Sequence, residues 1–255
     1  MVSVVITCFN YGEYLAEAIN SAIGQSYRPL EVIVVNDGST DDTEAVAMQY
    51  AGDIHYLYQS NSGVSVARNA GIRTARGDFV VGLDADDTLA PDFVEKCVNL
   101  LQAHPAAGFV YTQARFFGRE SGQTRYPEYD PVRLKQYNFI HQSVLIRAPV
   151  VKAHMYDENF TGGFEDWNFF LTLAEHGVHG ILLDEPLLNY RKHTDRTSRL
   201  STLTYHGRRS RLQVVKAHPG FYTTSERFVA TIKAASESAR VLAGRLKRRL
   251  KRRPV

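Results

Sequence analysis

Apolar residues fall into short, regularly spaced blocks along the first hundred positions. Val2–Phe9 is a continuous run rich in β-branched residues, the pattern of a strand covered on both faces. Behind Asn10-Tyr-Gly, residues Leu15, Ala18, Ile19, Ala22 and Ile23 recur at the spacing of one helix face. Leu30–Val35 reads as the next strand, and Ser39 or Thr40 would cap the helix that follows it. Strand Ile54–Tyr58, helix Ser62–Ala75 and strand Phe79–Leu83 continue the alternation. Pro91–His104 closes it as a helix with Phe93, Val94, Cys97, Leu100 and Leu101 turned inward. This order predicts an α/β fold with a mostly parallel, Rossmann-like sheet and helices on both faces.

The second half is less regular. Gly108–Phe117 and Phe139–Arg147 read as strands on either side of a polar, tyrosine-rich stretch holding Pro127 and Pro131. Phe164–His176 reads as a helix with Trp167, Phe170, Leu171 and Ala174 on its buried face. From Leu203 to Leu250 the pattern is helical, broken at Pro219-Gly220. Residues 1–202 are therefore expected to form one domain, and 203–255 a C-terminal helical extension with a basic tail.

Composition narrows the class. At 255 residues, with 44% hydrophobic and 22% charged positions, the chain suits a folded globular protein. Its longest apolar runs are far shorter than the roughly 18 residues that span a bilayer. The N-terminus enters a strand-like run with no basic leader, so no signal peptide is expected. Cys8 and Cys97 are too few for a disulfide scaffold or a cysteine zinc module and suit a reducing cytoplasm. The net charge of +3 is unevenly placed: Arg245–Val255 carries seven basic residues and no acid, so the remainder holds more acids than bases. A faintly acidic body argues against nucleic acid as a partner. Val241, Leu242, Leu246 and Leu250 form a narrow apolar stripe among the tail's basic residues. Two readings stand there: residues 240–255 as a peripheral contact with an anionic membrane at its cytoplasmic face, or a solvated terminus.

Every polar motif of the first half follows a strand: Asn10, Asp37, the stretch from Asn61 to Arg68, and Asp84 to Asp87. In open α/β sheets that edge is where ligands bind. Asp84, Asp86 and Asp87 repel one another unless a cation sits among them. A hard divalent ion held by one or two carboxylates plus substrate phosphates fits this arrangement; a solvated acidic turn is the plainer reading. Gly63 and the amides after it open a helix whose N-terminus favours an anion. Arg68 on that helix would pair with a carboxylate or phosphate, or buttress Asp84 or Asp37. Asp37 also suits a turn, and Asp166 suits the positive end of the helix that it opens.

Taken together, Val4-Val-Ile-Thr-Cys-Phe-Asn, Val34-Val-Asn-Asp-Gly-Ser-Thr-Asp, Asn61-Ser-Gly-Val-Ser-Val-Ala-Arg-Asn and Leu83-Asp-Ala-Asp-Asp resemble the family 2 inverting glycosyltransferases of the GT-A fold. Gly162-Gly-Phe-Glu-Asp-Trp and Tyr190-Arg-Lys-His extend the match in the family's order. The resemblance implies that residues 1–105 bind a nucleotide sugar and 106–202 carry the acceptor side and the catalytic base. Thr7, Asn10 and Asp37 would line the nucleoside pocket, with Arg68 beside the base and ribose. Asp84 would lie nearer the ribose and Asp86 on a divalent metal, Mn2+ or Mg2+, with His193 completing the metal or diphosphate site. Gly63, Ala85, Glu165 and Arg191 join the nucleotide-sugar contacts, and Asp166 matches the base. Two departures stand out: Thr7-Cys8 where the family often has a proline, and Asp87 directly behind the metal-binding pair.

The implied reaction is inverting transfer of a hexosyl or N-acetylhexosaminyl group from a nucleotide sugar, UDP-sugar before dTDP- or GDP-sugar, to an acceptor hydroxyl. The acceptor would be a glycan or glycolipid of cell-surface or polysaccharide synthesis. A nucleotide-sugar-binding module without turnover is the alternative. A sugar-nucleotide pyrophosphorylase would want a glycine-rich, lysine-bearing loop where this chain has Cys8-Phe-Asn-Tyr-Gly-Glu, and a dehydrogenase would want G-x-G-x-x-G there.

Overall fold

A β-branched run buried on both faces needs cover from two sides, and the computed structural model, which describes residues 1–161, 163–193 and 211–232, supplies it. The first half runs β1 (Val2–Cys8), α1 (Gly12–Ile23), β2 (Leu30–Asp37), α2 (Thr43–Met48), β3 (His55–Gln59), α3 (Val64–Thr74), β4 (Phe79–Asp84), β5 (Thr88–Leu89) and α4 (Phe93–Ala103). The second runs β6 (Ala107–Gly118), β7 (Gly122–Gln123), α5 (Pro131–Leu134), β8 (Leu145–Arg147), α6 (Ala148–Ala153), α7 (Glu165–Glu175) and β9 (His179–Lys192). One compact unit comprises Met1–Thr161 and Glu165–Thr194; a second comprises Gly162–Phe164 and Asp195–Val255. In the second, residues 211–217 and 224–232 are helical, and the segment around Pro219-Gly220 interrupts them. The remainder of the helix expected over 203–250, with the basic tail, lies outside the described residues.

Period-two alternation divides the central strands between two layers. Val4, Ile6, Val32 and Val34 join one core with Leu15 and Ile19 of α1 and Val94, Cys97 and Leu101 of α4. Val5 and Val35 face the other way, onto α3. There the helix approaches so closely that a Cβ on Gly71 would lie 2.2 Å from Val5 Cγ1 and 3.3 Å from Val35 Cγ2. The glycine thus sets the depth of the helix that carries Arg68.

The sheet order is β3-β2-β1-β4-β8-β6-β9-β5, with β7 on β6. Its first four strands are parallel, as expected. The other half is mixed: β8 is antiparallel to both β4 and β6, β6 and β9 are parallel, and β5 is antiparallel to β9. The strand expected over Phe139–Arg147 shrinks to Leu145–Arg147, whose last pair on β4 is Val81 with Leu145. Upstream, the polar triplet His141-Gln-Ser leaves the ladder, and Gln142 crosses β4 at Gly82, where a Cβ would sit 2.0 Å from its Nε2.

Gly71→Ala is expected to destabilise the fold by about 1–3 kcal/mol through overpacking against β1. Gly52→Ala, with nothing within 4 Å of its added Cβ, is the matched control. Urea unfolding checks both, and equal midpoints would show that α3 is not seated by that contact.

Candidate active site

Strands β1, β2 and β4 end in register, Thr7 opposite Asp84 and Cys8 opposite Asn36, so the residues that follow them share one edge. Asn10 turns there in the left-handed region, φ 56°, which asparagine tolerates. Its N–H donates to Ser39 Oγ at 2.9 Å, and its Oδ1 accepts from the Thr40 N–H at 2.8 Å. Ser39 and Thr40 are therefore spent on this turn instead of capping; α2 starts only at Thr43. Asp37, buried at the end of β2, accepts from Gln59 Nε2 at 2.7 Å, the Ser62 N–H at 2.9 Å and the Gly63 N–H at 3.0 Å. With φ 94° at Gly63, the chain makes a turn that suits glycine and enters α3. Three of roughly four acceptor positions on the Asp37 carboxylate are filled, leaving an edge for a ligand donor.

On α3, Arg68 is only 5% exposed. One guanidinium nitrogen donates to Asp84 Oδ1 at 3.1 Å and the other to Asp166 Oδ1, while the plane lies 5.2 Å from the Tyr156 ring centre. Burial works against its charge, but Asp166 and then Asp84 outweigh that and hold the guanidinium firmly protonated. For Asp166 the balance tips the other way. Desolvation lifts its carboxyl above the ordinary aspartate range, Arg68 opposes that, and Asp84 and Glu165 add to it.

The acidic run divides three ways. Asp84 faces Arg68. Asp86 Oδ2 lies 2.7 Å from His193 Nε2, a residue 107 positions later. Asp87 is buried: its Oδ1 accepts from the Arg191 N–H at 2.8 Å, and its Oδ2 has no hydrogen-bond partner among the described residues. Burial, then repulsion from Asp86 and Asp84, raises the Asp87 carboxyl well above its usual range. Burial and Asp84 raise Asp86 as well, against the pull of His193. Arg191 answers this negative charge. Its Nε donates to the Asp86 carbonyl at 2.9 Å and an Nη to Glu17 at 2.7 Å, and its plane lies between Tyr14 and Phe117 at 4.5 and 4.3 Å.

No group of three or more His, Cys, Asp or Glu side chains among the described residues is arranged to hold a metal ion. Asp86 and His193 nonetheless form a two-donor set. A divalent cation that also takes substrate phosphate oxygens needs no more from the protein.

The structure thus brings together Asp84, Arg68 and Asp166, then Asp86 with His193, and Asp37 with Gly63. Arg68 sides with the acids of β4 and α7 rather than with Asp37. Thr7 lends its carbonyl to the Ala85 N–H at 3.2 Å, and Glu165 opens α7 beside Asp166. Sequence reasoning did not single out Tyr156, Tyr190 or His141. His141 was signalled by the polar triplet inside an otherwise apolar run, and Tyr190 stood only as the first residue of the Tyr190-Arg-Lys-His motif with no role assigned; Tyr156 carries no local signal.

Residues 3–160 match the profile of Glycosyl transferase family 2. An uncharacterized glycosyltransferase of Rickettsia prowazekii is 43% identical over 101 residues, covering 40% of this chain and 32% of the relative. The chondroitin synthase of Escherichia coli is 30% identical over 187 residues, covering 69% of this chain and 27% of the relative. The chain thus spans about a third or less of the length of these curated relatives. Its fold matches S. aureus TarS 1–349 in complex with UDP-GlcNAc, with TM-score 0.68 at 20% identity over 84% of this chain and 66% of that one. It also matches the Pyrobaculum calidifontis mannosyltransferase in complex with GDP-Man and Mn2+, with TM-score 0.60 at 18% identity over 96% and 79%.

Arg68→Met would leave Asp84 and Asp166 facing each other without their cation. Both pKa values would then rise above their unfolded values, so the loss of stability is largest above neutrality and shrinks as acidification protonates the pair. Each carboxylate is about a third exposed, so a loss of about 1–3 kcal/mol near pH 7.5 is expected. Denaturant unfolding at pH 7.5 and 5 measures it; a loss independent of pH would contradict the electrostatic account.

Proposed function

Because the chain belongs to glycosyltransferase family 2, we propose that it transfers a hexosyl or N-acetylhexosaminyl group from a UDP-sugar to a hydroxyl of a glycan or glycolipid, with inversion. The observation that carries this reading is the Arg68 bridge between Asp84, at the end of β4, and Asp166, in the first turn of α7. It sets an acid suited to a base role next to the strand edge where the donor would lie.

In the proposed reaction Asp166 takes the proton of the acceptor hydroxyl as that oxygen bonds to the anomeric carbon. The bond from that carbon to the diphosphate oxygen breaks, and the diphosphate departs with the electron pair on the opposite face. One base and one displacement give inversion. A carboxylate lifted above its ordinary range is the stronger base for this step. A divalent ion, Mn2+ or Mg2+, held by Asp86 and His193 would supply charge neutralisation for the departing diphosphate. Arg191 fixes the acidic turn from behind, and Asp37 with the Gly63 turn would hold the nucleoside. The UDP-GlcNAc complex of TarS supports the choice of UDP, and the GDP-Man and Mn2+ complex of the mannosyltransferase supports a metal.

In this reading residues 1–202 form one catalytic domain, with the donor half in 1–105. The C-terminal extension, 203–255, would lie peripherally on the cytoplasmic face of an anionic membrane. Phe228, Val229 and Ile232 are exposed on the helix at 224–232, and the sequence continues into the basic tail.

Asp166→Asn should lower transfer by about 10²–10⁴-fold while leaving the calorimetric affinity for UDP intact. Transfer at the wild-type rate would remove Asp166 from the base role. The base works ionised, so kcat/KM should fall as pH drops through its pKa. Since that pKa is raised, the acid limb should lie above the ordinary 3.8 of aspartate. Deleting residues 240–255 should reduce co-flotation with anionic liposomes; equal recovery would sink the membrane assignment.

A further inference from the structure

Just ahead of β8, on the segment that leaves the ladder opposite the end of β4, His141 occupies a position that the mechanism above does not use. Its Nδ1 accepts from the Ser143 N–H at 3.4 Å, and its ring packs edge-on against Tyr190 with centroids 4.9 Å apart. An accepting Nδ1 puts the ring proton on Nε2. No hydrogen bond to that Nε2 is seen among the described residues, and the atom is not sealed in the core. Burial pushes the imidazole down to about 4, with Arg68 and Lys192 lowering and Asp84 raising it, so at neutral pH it is an uncharged donor.

Its place in the sheet says what it would meet. The order β2-β1-β4-β8 runs from Asp37 and the Gly63 turn, past Thr7, to Asp84, and then to His141. β2 and β8 are three strand spacings apart, about 14 Å. A donor with its nucleoside over β2 and its diphosphate over the β4 acids therefore has its sugar beside the segment before β8. Asp166 reaches the same place through Arg68. We infer that His141 is a specificity-determining residue of the donor site, donating its Nε2–H to an oxygen of the transferred sugar. This rests on the nucleotide-sugar reading above and adds the residue that distinguishes the sugar from the bare nucleotide.

The test compares affinities for UDP and GDP with those for UDP-GlcNAc, UDP-Glc and GDP-Man, by calorimetry without acceptor. In the wild-type chain at least one nucleotide sugar binds more tightly than its nucleotide. His141→Phe keeps the ring packed on Tyr190 and removes the donor. It should lose about three- to tenfold of that sugar increment and leave the nucleotide Kd unchanged. His141→Gln, which restores an N–H, should recover part of it. Wild-type protein gives an independent reading: among single-deoxy analogues of the bound sugar, one should lose the same factor. An unchanged increment in His141→Phe, an equal weakening of nucleotide and nucleotide sugar, or deoxy analogues that all bind alike would overturn the assignment. So would an effect confined to acceptor KM. A wild-type chain that binds nucleotides but shows no sugar increment defeats this inference alone, whereas one that binds no nucleotide at all defeats the proposed function as well.

Discussion

A single buried guanidinium, that of Arg68, ties together the two acids at the heart of the candidate site. Shielded from water, it answers to two carboxylates drawn from different parts of the chain, one 16 residues away on β4 and one 98 residues away on α7. Each alone would be a modest pair. Together they offset the desolvation of the cation and fix α7 against the parallel half of the sheet. The planar fork matters, because two of its nitrogens reach two different acids while the face rests on Tyr156. A lysine ammonium would bring charge without that geometry. Gly71, one turn further along α3, lets the helix sit deep enough for the side chain to reach both partners.

Around this bridge the charges are sorted by element. The acids come from the turn after β4, and their partners come in sequence from the end of β9: the Arg191 main-chain N–H to the Asp87 carboxyl, its guanidinium to the Asp86 carbonyl, and His193 to the Asp86 carboxyl. Lys192 between them turns the other way, its ammonium over Phe116 and Tyr190 at 4.2 and 4.4 Å. That alternation is the ordinary pleat of a strand. β9 is thus both a structural partner of β6 and the carrier of counter-charge for the acidic turn. The net charge of +3 conceals this, since the seven basic residues of Arg245–Val255 outweigh the excess of acids in the remainder of the chain.

The parallel half was legible because its strands are buried on both faces and its helices carry one apolar stripe each. Val2–Cys8, Leu30–Asp37 and Phe79–Asp84 sit within two residues of their expected limits. β9 was not legible: Asp184, Glu185 and Pro186 interrupt its apolar pattern, and the proline sits where the register with β6 shifts around Gln113. The strand expected over Phe139–Arg147 failed for the opposite reason, since its composition is apolar enough but His141, Gln142 and Ser143 have other partners. At the site, motif and edge position picked out Asp37, Asp84, Asp86 and Asp166 singly. That Arg68 joins two of them depends on how far α7 folds back, a separation that no local pattern encodes.

The mixed half of the sheet is what separates this site from a bare dinucleotide edge. A purely parallel sheet would place helix-flanked loops at every strand end and leave no side chain beyond β4 except through another crossover. Inserting the three-residue antiparallel strand β8 brings a chain past the end of β4 from the opposite direction. Its upstream segment therefore runs alongside the end of β4, with Gln142 against Gly82. Gly82 leaves the room that the Gln142 side chain takes, since a Cβ there would lie 2.0 Å from its Nε2 and the amide would have to shift. β6 and β9 then pair in parallel beyond β8 and return Tyr190 to the same place, so the His141 ring packs on a ring from a strand that is not hydrogen-bonded to β8. The two halves thus divide the work by geometry: parallel strand ends offer amides and carboxylates along one line, and the antiparallel insertion turns a single imidazole across its end.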